Sequence, residues 1–128
     1  MSEEIQKIFK EVVELQYSYS SQILALSSPC FDNIGYLTKA TLTGTGGVVE
    51  ILCGPPEYHA DLFIENSDLK QRFGLPEILS SEAVQVWAKH NRPDQSEPIR
   101  IKREVAWLFS LLTDILCQDE RFTWLFNS

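Results

Sequence analysis

Cysteine is scarce: three residues in a chain of 128, at positions 30, 53 and 117. An odd number at irregular spacing fits neither a secreted disulfide framework nor a zinc site. The two histidines, His59 and His90, are far apart, and no H-x-x-x-H or C-x-x-C pair accompanies them. No metal or other cofactor is therefore expected. Positive charge is also short, with 11 Lys and Arg against 18 Asp and Glu, a formal net charge of -7. A nucleic-acid binder needs a basic footprint to displace counterions from phosphates, so that class is disfavoured. No apolar run approaches the length that spans a bilayer. Ser-Glu-Glu after Met1 lacks the basic start and apolar middle of a signal peptide, and the chain reads as cytoplasmic. Internal repeats, low-complexity stretches and linkers are missing as well, which leaves one α+β domain over residues 1–128.

Apolar residues make up 44% of the chain, the share of a folded protein rather than a disordered one. The stretch from Pro98 to about Gln118 sets the architecture. Ile101, Val105, Leu108, Phe109, Leu112, Ile115 and Leu116 repeat with a 3.6-residue period. Trp107, Leu111 and Ala106 widen that stripe, so this long helix must be buried by neighbours on most sides. A first helix carries Ile5, Phe9 and Val12 and runs toward Leu26, with an end or bend at the poor helix formers Ser18 to Ser21. Pro29 and the Asp32-Asn33…Gly35 cluster then read as a loop.

Between Tyr36 and Glu65 the period becomes alternating. Tyr36–Thr43, Val48–Cys53 and Tyr58–Ile64 read as a three-stranded antiparallel meander with one face on the core. A short helix from Ser67 to Phe73 with Gly74 just past its end, and another starting at Ser80 or Ser81 and running to about His90, lead into the long one. The terminal Arg121–Phe126 (RFTWLF) is apolar enough to require folding back onto the core.

Few constellations carry chemistry. Gly44-Thr45-Gly46-Gly47 lacks the G-x-x-x-x-G-K-[ST] pattern and joins strand to strand, so a hairpin turn outweighs a phosphate loop. Cys53 and His59 lie on neighbouring strands and could pair a thiol with a base, but no orienting group or oxyanion loop is evident. A buried structural cysteine is the simpler reading. Arg100, Lys102 and Arg103 oppose the dipole at the start of the long helix, and salt bridges to Glu97, Glu104 or another acid would compensate. Trp87, Trp107 and Trp124 sit at helical spacing among apolar residues and read as core. Charge is uneven: residues 1–66 carry nine acids against three bases, residues 67–128 nine against eight. Glu50, Glu57, Asp61 and Glu65 gather in the meander, with Asp32 close by.

A non-enzymatic protein-binding module remains. With its N-terminal amphipathic helix (Ile5–Leu26), a meander carrying Glu50, Asp61 and Glu65, and a helical C-terminal half, the chain resembles the small acidic immunity proteins that bacteria make against contact-dependent growth inhibition toxins and related polymorphic toxins. That resemblance implies a complex with a cognate toxin domain, a basic nuclease among the candidates, whose phosphate-binding surface an acidic patch would occupy. The expected patch is Asp32, Glu50, Glu57, Asp61 and Glu65. A regulatory or adaptor protein, or a homodimer formed through the RFTWLF tail, is the alternative, and monomer or dimer stays open. A hydrolase using Cys53 and His59 is the third reading.

Overall fold

The computed structural model describes residues 2–55, 59–80, 82, 83, 85 and 96–126. Glu57 and Tyr58, and the expected helical residues Val84, Trp87, Ala88 and His90, lie outside those residues, as does the 91–94 loop.

Helix α1 (Ser2–Ser20) buries Ile5, Phe9, Val12 and Val13 on one face. It stops inside the serine patch, where the hydroxyls of Ser18 and Ser20 donate to the carbonyls of Leu15 and Gln16 at 2.6 and 2.9 Å. Such bonds compete with the helix backbone. Because the helix ends there, its period does not continue to residue 26: beyond it Leu24 and Leu26 are buried and Ile23 faces solvent, and within it Leu15 and Tyr19 lie off the buried face.

The sheet is larger than the expected meander. Five antiparallel strands follow one another in space as in sequence: β1 (Cys30–Ile34), β2 (Leu37–Thr43), β3 (Gly47–Gly54), β4 (His59–Asn66) and β5 (Arg72–Gly74). The three middle strands are those read from the alternating pattern. β1 occupies the stretch read as a loop, and of its turn formers only Gly35 falls in the two-residue hairpin that follows. Gly35 takes φ 63° there, a conformation that costs glycine little. β5 replaces the end of the expected short helix. The Asn66 carboxamide accepts the Asp68 and Leu69 amides at 3.0 and 2.9 Å, and the Asn66 amide donates to Gln71 O at 2.8 Å. This side-chain turn sends the chain back as a strand before a helix can form. Gly74 pairs with Phe63 and then precedes the short helix α2 (Leu75–Ile78), rather than ending one.

Register sorts the sheet into two faces. Ala40, Leu42, Val49, Ile51, Ala60, Leu62 and Ile64 are fully or almost fully buried on the inner face. There they join one core with α1 and the long helix α3 (Glu97–Asp114). As expected, Ile101, Val105, Leu108, Phe109 and Leu112 of α3 are buried. The helix ends four residues earlier than the pattern suggested. A 3-10 turn at Leu116–Gln118 follows, which keeps Leu116 inside and leaves Ile115 51% exposed.

The tail does fold back. A 3-10 turn at Glu120–Phe122 and helix α4 (Thr123–Phe126) bury Phe122 and Leu125, and Leu125 O accepts the Thr45 amide at 3.1 Å. Trp124 and Leu125 lie against Gly44, Gly46 and Gly47 so closely that a Cβ at any of the three would collide with them. The glycine-rich turn is thus a hairpin covered by the chain's own C-terminal segment. No described helix is long and apolar enough to cross a membrane.

Candidate functional site

The outer face of the sheet carries no described helix. Cross-strand register places Asp32, Lys39, Leu52 and Asp61 in one row across it, and Cys30, Thr41, Glu50 and Phe63 in the next. Thr43, Val48, Glu65 and Arg72 form a third row. Four of the five acids expected to bind a partner therefore share one face; Glu57 lies outside the described residues.

They do not share one environment. Glu50, at the centre, is only 8% exposed. Its two oxygens take Lys39 Nζ, at 3.1 Å, and Arg72 Nη1. Burial pushes the Glu50 carboxyl up, but the hydrogen bonds and charges of Lys39 and Arg72 outweigh it and leave the pKa below its ordinary value. Arg72 also stacks on the Phe63 ring, 4.2 Å from its centroid. Glu50 is thus a structural pivot of the face rather than a free acid. Asp32 and Asp61 are exposed and Glu65 is half-buried. With Lys39 and Arg72 counted against the four acids, the face keeps a net negative charge.

Beside Asp61 the sheet opens into a groove of about 450 Å³ lined by Asp61, Phe63, Arg72, Leu75, Pro76 and Glu77. Arg121 fixes its far wall by donating to the carbonyls of Glu77 and Ile78, at 3.3 and 2.8 Å. Partial burial raises the Asp61 pKa, and the Leu62 amide and the Arg72 charge oppose that rise only in part.

A second polar constellation lies inside, at the start of β4. β5 is too short to cover the start of β4, whose outward amides need other acceptors. Asp61 Oδ1 takes the Leu62 amide at 2.8 Å, and Glu104 Oε1, from α3, takes the Ala60 amide at 2.7 Å. The other Glu104 oxygen lies 3.0 Å from His59 Nδ1 and 3.9 Å from Arg100 Nε. Glu104 has no exposed surface. Burial raises its pKa; the Ala60 amide, His59 and Arg100 pull the other way. The i, i+4 spacing of Arg100 and Glu104 was visible in sequence, but that the pair faces a bare strand edge was not.

Glu104 supplies the orienting carboxylate that the Cys53–His59 reading lacked, yet Cys53 does not become a nucleophile. Burial, then the Glu104 charge, push its thiol up to about 12, so it stays protonated at neutral pH. Its side chain also points to the inner face, where Cys53 is 4% exposed. Among the described residues no group of His, Cys, Asp and Glu could hold a metal ion. The chain matches no family model, no curated protein and no solved structure.

Proposed function

We propose that this chain is a small acidic binding protein of the immunity type, which neutralises a basic toxin domain by laying the outer face of its sheet over the toxin's substrate-binding surface. One observation carries the reading: Asp32, Glu50, Asp61 and Glu65 share the one sheet face that no described helix covers. A rigid sheet presenting net negative charge steers a basic partner and fixes its register, as complementary potentials do at protein interfaces. Thr41, Val48, Leu52 and Phe63, half-buried within the same rows, supply apolar contact area. The alternative, a homodimer through the RFTWLF tail, would have to use the half-buried Trp124 and Phe126, since Phe122 and Leu125 are buried within the chain.

The test is a pull-down from the native host lysate with the tagged chain, at low and then high salt, beside the variant D32K/E65K. Glu50 and Asp61 are left alone because they hold Lys39, Arg72 and the Leu62 amide. A basic protein retained by the wild type, released by salt and lost by the variant supports the reading. An acidic partner held through high salt, or equal retention by both chains, contradicts it.

A further inference from the structure

We propose that the groove between β4 and α2 is the socket for a cationic side chain, an arginine or lysine presented by the protein partner; this rests on the binding reading above and names its anchor point. The groove presents two exposed carboxylates, each with one oxygen committed to the backbone. Asp61 uses one oxygen for the Leu62 amide, and Glu77 uses one for the Gly74 amide at 2.8 Å. Among the described residues the second oxygen of each accepts no hydrogen bond. Among the described residues the one cation lining the groove, Arg72, is committed to Glu50 and to the Phe63 ring, so it does not discharge both acids. An incoming cation is therefore the complementary charge, and an anion is not. The walls select the form of that cation. Phe63, Leu75 and Pro76 suit the methylene stem of a long side chain and offer nothing to a hydrated metal ion. About 450 Å³ holds one such side chain with a few waters, and the Arg121 bonds that anchor α2 make the site preformed.

The experiment uses the ¹⁵N-labelled full chain and the tripeptide Ac-Gly-Arg-Gly-NH2, with Ac-Gly-Glu-Gly-NH2 and Ac-Gly-norleucyl-Gly-NH2 as controls. The arginine peptide is expected to shift the Leu62 and Gly74 amides in a saturable way and to lower the Asp61 pKa. The variant D61N/E77Q keeps an oxygen for each backbone amide, so the fold is retained, and it should bind the peptide about three- to ten-fold more weakly. No saturable shift, equal shifts from a control peptide, or unchanged affinity in the variant would overturn the socket. In the lysate pull-down, a partner lost by D32K/E65K but held unchanged by D61N/E77Q overturns the socket alone and leaves the binding reading standing. A partner weakened by both variants supports the two together.

Discussion

Removing Glu104 should damage this protein more than removing any other carboxylate described, and the damage should depend on what replaces it. In Glu104→Ala the Ala60 amide loses its acceptor at 2.7 Å, His59 Nδ1 loses its partner at 3.0 Å and Arg100 loses a buried counter-charge. Breaking a buried pair by deleting one partner typically costs about 3–5 kcal/mol, and with no exposed surface at Glu104 there is no solvent to soften it. Glu104→Gln differs. The raised pKa of Glu104 means that its surroundings favour the neutral acid over the carboxylate relative to water. A neutral isostere that still accepts the Ala60 amide should cost about 1–2 kcal/mol. Urea unfolding followed by tryptophan fluorescence separates the two: at about 1.5 kcal/mol per M, the alanine variant should lose about 2–3 M in midpoint and the glutamine variant about 1 M.

The same residue sets a pH dependence. A carboxyl whose folded pKa lies above its unfolded value contributes stability that is complete below the unfolded pKa and is lost as pH rises through the folded one. Wild-type stability relative to Glu104→Gln should therefore fall as pH rises above 4.5, the ordinary glutamate value. A glutamine variant as unstable as the alanine one, or a wild-type advantage that grows with pH, would refute the reasoning.

Two further predictions concern the covered turn and the thiols. Gly47→Ala places a methyl group against Glu65 O and the Trp124 ring; it should destabilise the chain by about 1–3 kcal/mol, readable as a lower urea midpoint, and a neutral effect would mean that the C-terminal segment does not pack on the turn. Iodoacetamide should label exposed Cys30 in the native protein and reach Cys53 only after denaturation; native labelling of Cys53 would reopen the nucleophile reading.

Alternation was enough to place Asp61 and Glu65 opposite Ala60, Leu62 and Ile64, because a strand turns successive side chains to opposite faces. It also made the buried stripe of α3 readable, apart from Ile115, which the switch to a 3-10 turn carries outward. Local chemistry misled at two places. Asp32, Asn33 and Gly35 are turn formers, yet the first two sit in an edge strand and only the glycine makes the turn. Residues 67–73 have a helical look, but the Asn66 side chain captures two amides and forces a return strand. That second error hid the chemistry of the site. Without β5, Arg72 had no place beside Glu50, and the groove had no second wall. Glu104 was hidden for a tertiary reason: its role depends on how far β5 falls short along β4, which no local pattern encodes.

The central claim is that the acidic outer face does the binding. Its most direct test is the dissociation constant of the captured partner, measured by calorimetry at low and physiological ionic strength for the wild type and D32K/E65K. Each exposed ion pair is worth about 0.2–1 kcal/mol and reversal adds repulsion, so the variant should bind on the order of ten-fold more weakly at low salt and respond less to added salt. Equal affinity and equal salt dependence in the two proteins would contradict the account.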